Sequence, residues 1–388
     1  MKILIIHTNA GAGHLRAAEA VCKAGLKYFP EAEFKIMDSL EYTTAWMKKI
    51  YPVTYVVLVK YLSLVWRFFY FYCNIKCLEK FNCRLRQRIL VTQQGRFFKM
   101  IQEEAPDLVL TTHYLPSDYL SFMKRKGKLK TFVAVCLTDY EPHLMWKNPE
   151  LDQYFIASEE MLPEMKRLRF PLEKVKVSGI PIHQEFAIVE DQMMMRKKLG
   201  LKLNEFTLMI TSGGFGLGPV KAVVRELKKV TKPIQILVIC GHNADLKSQV
   251  EKEIEGSIHD FRLFEFVKNI HELMSASDLL ISKPGGLTTT EVMAKGLPMI
   301  VYQPIAGHET ANCQMLLKHQ AAIEMKKISE LPQVVMELLD HPEKLQGLKE
   351  NMKALGHPEA ATEIVFELKK IMEMRQKDGN ESADPKIK

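Results

Sequence analysis

Two short apolar strands, each followed by a glycine turn and a helical pattern, constrain this chain more than any other feature. They stand about two hundred residues apart. In the first, Ile3 to His7 leads through Gly11 and Gly13 into a helical pattern from His14 to about Tyr28, with Leu15, Ala18, Val21 and Cys22 at helical spacing. In the second, Phe206 to Thr211 leads through the Ser212 to Gly218 turn into a helix opened by Pro219, a residue suited to a first helical position. Strand, glycine turn and helix form the repeating unit of open parallel sheets, so two doubly wound parallel-sheet α/β domains are expected. A length of 388 residues accommodates both.

The alternation continues in each half. Asp107–Thr111, Thr131–Leu137, Gln153–Ala157 and Val175–Gly179 read as strands of the first domain. In the second, Ile234–Cys240, Phe261–Phe266, Asp278–Ser282 and Pro298–Tyr302 read as strands. Helical patterns at Asn243–Glu255, Asn269–Ala276, Leu287–Lys295 and Glu309–His319 separate them. Such spacing predicts sheets covered on both faces. The polar segment from His183 to about Leu203 reads as a linker, and the chain after Glu367 becomes charged.

Composition narrows the class. Hydrophobic residues at 47% and charged residues at 26% exclude collagen-like, coiled-coil and wholly disordered chains. Seven cysteines contain no Cys-x-x-Cys pair, and an odd number cannot all bond internally, so reduced thiols in a cytosolic setting are expected. Met1–Ile6 is too short for the apolar core of a secretory signal. Tyr51 to Tyr72 is apolar, but Pro52, Lys60 and Arg67 interrupt it well short of the ~18 uncharged residues that a membrane span requires.

The net charge of +8 is concentrated in one place. Between residues 43 and 100 stand eleven basic residues against Glu79 alone, leaving the rest of the chain slightly acidic. A local patch favours an anionic surface over general nucleic-acid binding, and no nucleic-acid partner is expected. Tyr51, Tyr55, Tyr61, Trp66, Phe68, Phe69, Tyr70, Phe71 and Tyr72 lie in the same window, beside Arg67. Aromatics seat at headgroup level, and each basic residue near anionic lipid is worth about 1 kcal/mol. The competing reading is a core helix with a basic outer face.

Three glycine loops follow strands where open α/β sheets bind ligands: Gly11–Ala12–Gly13–His14, Ser212 to Gly218, and Pro284–Gly285–Gly286–Leu287–Thr288. None is a P-loop, and the first lacks the last glycine of the dinucleotide fingerprint. No Asp-x-Asp occurs, so no metal site is indicated and helix dipoles with backbone N–H groups are left to carry phosphate charge. His14 follows a glycine turn at a helix start, where an imidazole can serve as general base or merely cap the helix. Glu291 lies one turn into its helix, placed for vicinal hydroxyls or for the helix dipole. Gly307–His308–Glu309, with Asn312, forms the next polar loop. Asp139 ends a strand, with His143 and Trp146 on the loop beyond.

With these residues in view the chain resembles, to about residue 370, the diacylglycerol glycosyltransferases: bacterial processive diacylglycerol glucosyltransferases and plant monogalactosyldiacylglycerol synthases. The most specific match is Lys283-Pro-Gly-Gly-Leu-Thr-Thr-Thr-Glu291 followed by Gly296-Leu-Pro298. Gly11–His14, Thr138–Asp139 with His143 and Trp146, Ser178–Pro181 and Gly213–Gly216 match in the same order. The resemblance implies a GT-B fold, two Rossmann-like domains facing a central cleft. It also implies an acceptor and membrane domain over 1–184, a linker over 185–204, a UDP-sugar domain over 205–356 and a helix returning to the first domain over 357–374. Residues 375–388 are expected to be a disordered tail.

By the same resemblance His14 is the base with Asp139 beside it, and Glu291 takes the ribose. Gly213, Gly214, Phe215, Gly285, Gly286, Leu287 and Thr288 take the diphosphate, with Gly11 and Gly13 opposite. His308, Glu309 and Asn312 face the sugar, and the family usually carries Gln where this chain has His308. His143, Trp146, Tyr61, Trp66, Arg67, Phe68 and Phe69 serve the acceptor and membrane. The expected reaction is inverting transfer of glucose or galactose from a UDP-sugar to diacylglycerol, at the cytoplasmic face of a membrane with anionic lipids. It can repeat on its product, and it uses no cofactor beyond the co-substrate. A retaining mechanism is disfavoured because Lys283 stands where a Glu-x7-Glu pair would need its first acid. The alternatives are a UDP-N-acetylglucosamine 2-epimerase, an N-acetylglucosaminyltransferase acting on a lipid-linked peptidoglycan precursor, and a non-catalytic UDP-sugar sensor at the membrane.

Overall fold

The computed structural model describes residues 1–91, 95–211 and 218–381. The first half builds a six-stranded parallel sheet from β1 (Lys2–His7), β2 (Glu33–Asp38), β3 (Leu108–Thr111), β4 (Phe132–Cys136), β5 (Gln153–Ile156) and β6 (Val175–Val177). The second half builds another from β7 (Thr207–Thr211), β8 (Gln235–Ile239), β9 (Asp260–Phe264), β10 (Leu279–Ser282), β11 (Met299–Tyr302) and β12 (Ala322–Met325). Both are the expected doubly wound α/β sheets. Their orders are β2-β1-β3-β4-β5-β6 and β12-β11-β10-β7-β8-β9. Near-continuous runs such as Ile3-Leu4-Ile5-Ile6 and Leu208-Met209-Ile210 are fully buried, as strands covered on both faces must be.

These orders fix where a ligand can bind. The strand order reverses between β1 and β3 in one sheet and between β7 and β10 in the other, and crevices open at the carboxyl ends of such pairs. The turns and helix starts that follow β1 and β3 carry His14 and His113, and those that follow β10 carry Gly285 and Gly286.

Two elements were not apparent in the sequence. β2 alternates exposed and partly buried residues at a sheet edge, and β12 is a four-residue edge strand. Between β2 and β3 the chain inserts a block of helices, led by α2 (Ala45–Tyr61) and α3 (Ser63–Cys73), beside the first crevice. Among the described residues no single helix is long and apolar enough to cross a membrane; α2 and α3 could do so only as a pair bent by 107°.

The segment read as a linker contains a short helix, Gln192–Lys198, whose Arg196 is buried against Asp278 at 2.6 Å. The final helix, Ala360–Glu381, buries Ile364, Val365 and Leu368 in the same apolar cluster as Ile3, Ile5 and Val21 of the first domain. It continues past residue 374, into the segment expected to be a disordered tail. Once packing has anchored a helix, each further residue adds a hydrogen bond at little cost.

Candidate active site

α1 (Ala12–Tyr28) begins directly after Gly11, so its first turn, with His14 and Arg16, stands at the mouth of the first crevice. His14 Nδ1 lies 2.8 Å from the carbonyl oxygen of Thr112, and the Thr138 hydroxyl is 3.2 Å from the same nitrogen. A carbonyl only accepts, so Nδ1 carries the proton and Nε2 keeps the lone pair. Thr112 returns the contact by donating its hydroxyl to the His14 carbonyl oxygen at 2.8 Å. Burial holds the imidazole below its ordinary pKa of 6.5, with Asp139 pulling it partly back up, so the ring is neutral and basic near pH 7.

Across the crevice the helix Gly286–Lys295 points its N-terminus inward. Its approach depends on a missing side chain, since a Cβ on Gly286 would stand 1.9 Å from the Thr138 carbonyl oxygen. Leu287 packs towards Gly13 more loosely, its Cδ2 standing 3.3 Å from where a Cβ on Gly13 would be. Asn312 holds this loop from behind: its Oδ1 accepts from the Tyr140 N–H at 3.0 Å, and its Nδ2 donates to the Pro284 carbonyl at 2.9 Å. Asn312 is fully buried with both ends of its amide committed, so it positions the loop and does not line the cavity.

Glu291 is 1% exposed. Its Oε1 pairs with Arg16 across the crevice, whereas Oε2 is buried without a partner among the described residues. Burial raises this carboxyl above the ordinary range, and Arg16 draws it back. Glu309 is also raised by burial, and its Oε2 accepts the Ile305 N–H at 2.7 Å.

A cavity of about 250 Å³ joins the two sides. Gly11, Gly13, His14, Asp139, Gly285, Gly286, Leu287, Thr288, His308 and Glu309 all line it, with His143 and Trp146. Gly213, Gly214 and Phe215 lie outside the described residues. Tyr51, Tyr55, Trp66 and Tyr70 form an aromatic end.

α3 divides into two faces. Trp66 and Tyr70, one turn apart, are only 8% and 6% exposed, whereas Phe68 is 72% exposed, beside Leu64, Val65, Phe69 and Phe71. Trp66 thus turns away from the exposed face, and its Nε1–H donates to the Ala306 carbonyl oxygen at 3.0 Å. The Tyr70 ring lies over Gly307, which adopts φ +97 and whose added Cβ would meet the ring at 2.8 Å. His308 contacts both rings, with centroids 6.5 Å from Trp66 and 6.3 Å from Tyr70. Arg67 and Tyr61 lie on the exposed side, the Arg67 guanidinium 5.9 Å from the Phe71 ring.

His143 is more constrained than its sequence position implies. Its Nδ1 accepts the Met145 N–H at 3.1 Å, and its Nε2–H donates to the Tyr70 carbonyl at 2.9 Å, so it clamps α3 to the body. Arg86, counted in the basic patch, turns inward and chelates Asp118 at 2.5 and 2.8 Å. Arg16 and His113 belong to the site and were not singled out from the sequence. Each had a signal, Arg16 lying two residues after His14 and His113 two residues after an expected strand. Among the described residues no cluster of His, Cys, Asp or Glu is placed to hold a metal ion.

The chain is similar to known glycosyltransferases. Residues 14–182 match the family described as monogalactosyldiacylglycerol (MGDG) synthase, and residues 207–364 match the glycosyltransferase family 28 C-terminal domain. The chain is 28% identical to a processive diacylglycerol beta-glucosyltransferase of Bacillus pumilus, covering 94% of both chains. It is 28% identical to the protein of the same name from Bacillus thuringiensis, covering 94% of this chain and 92% of that one. Among solved structures, Acinetobacter baumannii MurG has a TM-score of 0.64 at 15% identity, covering 95% of this chain and 99% of that one. A UDP-GlcNAc 2-epimerase from Neisseria meningitidis, bound to UDP-GlcNAc, has a TM-score of 0.60 at 15% identity, covering 95% and 100%. These structures share the two-domain GT-B fold. The chain thus joins a segment of the monogalactosyldiacylglycerol synthase type to a glycosyltransferase family 28 C-terminal domain, and it is a glycosyltransferase.

Proposed function

We propose that this protein transfers a hexose from a UDP-sugar to the free hydroxyl of diacylglycerol, with inversion at the anomeric carbon. The observation that carries the reading is His14. Its Nδ1 proton is committed to a backbone carbonyl, and the ring lines a cavity with a helix N-terminus on one side and aromatic rings at the end. The lipid hydroxyl gives its proton to His14 Nε2 as its oxygen attacks the anomeric carbon. The bond to UDP breaks on the opposite face, and UDP leaves with the bonding pair. Backbone N–H groups at Gly285, Gly286 and Leu287, with Thr288 and the Gly213–Phe215 loop, stabilise the departing diphosphate. Asp139 supports the imidazolium that forms. The unpartnered Oε2 of Glu291 accepts from the ribose, and Glu309 and His308 face the sugar.

The exposed apolar face of α3 and the basic residues around it suit peripheral binding at the cytoplasmic face of an anionic membrane. The names of the Bacillus relatives favour glucose and repeated addition. A UDP-release assay with UDP-glucose and UDP-galactose, with and without diacylglycerol vesicles, tests the reading. Release that requires diacylglycerol supports it. Conversion of UDP-N-acetylglucosamine to its 2-epimer without lipid would mark an epimerase, and saturable UDP binding without release would mark a sensor.

A further inference from the structure

His113 sits at the carboxyl end of β3, beside the end of β1 that delivers His14, so both imidazoles enter the crevice where the strand order reverses. It is 3% exposed and lines the cavity. The two rings meet edge to face, with centroids 4.5 Å apart at 89°. Tyr114 stacks on His113, Tyr51 and Trp146 pack against it, and a 2.9 Å hydroxyl contact ties Tyr51 to Tyr114, so the ring is held on several sides.

Its tautomer follows from one contact. His113 caps the helix Tyr114–Arg125, and its Nδ1 accepts the N–H of Leu115 at 3.0 Å. The proton of the neutral ring is therefore on Nε2, as in His143, which caps its own turn in the same way. The two then differ. His143 spends its Nε2–H on the Tyr70 carbonyl, whereas His113 Nε2–H has no hydrogen-bond partner among the described residues. His113 lines the cavity, so this N–H is left to an oxygen bound there. Burial also holds His113 well below its ordinary pKa, which keeps it a neutral donor and leaves the role of base to His14.

We propose that His113 Nε2–H binds an oxygen of the lipid acceptor beside its nucleophilic hydroxyl: the carbonyl of the ester on the neighbouring glycerol carbon. This rests on the proposed function and adds a residue to it. His14 takes the hydroxyl proton while His113 holds the adjacent ester, fixing the direction of the hydroxyl lone pair.

The test compares diacylglycerol with its dialkyl ether analogue, which keeps the hydroxyl and chains but lacks the carbonyl. The variant is His113→Asn, because asparagine is among the best helix caps and retains that contact while removing the Nε2–H. Wild type is expected to favour the ester by about tenfold in kcat/KM. H113N is expected to treat both acceptors alike, with donor KM unchanged and a melting temperature lowered by the lost ring packing. A wild type indifferent to the carbonyl, or an H113N protein that keeps the preference, would overturn the assignment. If H113N does not fold, the wild-type comparison decides alone. Wild-type transfer to diacylglycerol tests the activity itself and is read separately; its absence would overturn both.

Discussion

Arg16 of the first domain and Glu291 of the second form an ion pair across the cleft, so one helical turn after each glycine loop the two halves are joined by charge. Glu291 is almost wholly buried, and its carboxyl is already raised by desolvation. A carboxyl whose pKa is higher folded than unfolded binds its proton more tightly in the native state, so its contribution to stability falls as pH rises above the ordinary carboxylate range. Removing Arg16 raises that pKa further and enlarges the loss.

Arg16→Ala is therefore expected to lower stability by roughly 2 kcal/mol at pH 8, less than a fully buried pair costs because Arg16 keeps part of its side chain in water. The deficit should shrink towards pH 5. Thermal denaturation of both proteins at the two pH values checks this, and an equal deficit at both would remove the linkage.

For His14 the expected readout is kinetic. Its pKa is held below 6.5 by burial, so the acidic limb of the kcat/KM profile should fall below pH 6.5. Asp139→Asn removes the charge that raises this pKa, moving the limb to still lower pH and reducing kcat by about tenfold or more. His14→Ala should lose about 10² to 10⁴ in kcat. A His14→Ala protein that turns over at the wild-type rate would exclude the base assignment.

The two faces of α3 should separate in experiment. Trp66→Phe keeps most of the packing but loses the hydrogen bond to the Ala306 carbonyl, so it should raise donor KM about fivefold while vesicle binding is retained. Phe68→Ser with Phe69→Ser should weaken sedimentation with anionic vesicles and leave donor KM unchanged in detergent. Wild-type binding to those vesicles should weaken with salt. Equal effects of both changes on both readouts would contradict the division of faces.

Gly286→Ala tests the approach of the domains. The added Cβ would overlap the Thr138 carbonyl, which is backbone and cannot swing aside, so the cleft must widen. Donor KM should rise and kcat fall, each by about tenfold or more, because misplacing reacting groups by an ångström is costly. Unchanged kinetics would show that the contact is not needed for turnover.

How much of this was legible in the sequence follows from what each residue depends on. β1, β7 and β10 are continuous apolar runs beside glycine turns, and burial on both faces imposes that pattern directly. β2 and β12 lie at sheet edges, where a few mixed residues carry no clear period. His14, Gly286 and Glu291 could be picked out because they lie in the first turns of helices that follow strands. His143 and Arg86 were misleading for one reason: the types suit a ligand or a lipid surface, yet Tyr70 and Asp118 occupy them. Neither partner is near in sequence. The same limit hid the inward turn of Trp66, since a helix with aromatics all round does not show which face will find the Ala306 loop.

The most direct test of the central claim is the configuration of the product. With UDP-α-glucose and diacylglycerol in anionic vesicles, the anomeric coupling in the NMR spectrum of the isolated glycolipid reports how the sugar was transferred. Attack by the lipid oxygen opposite the departing UDP, assisted by His14, predicts a β-linked product. An α-linked product would contradict the account.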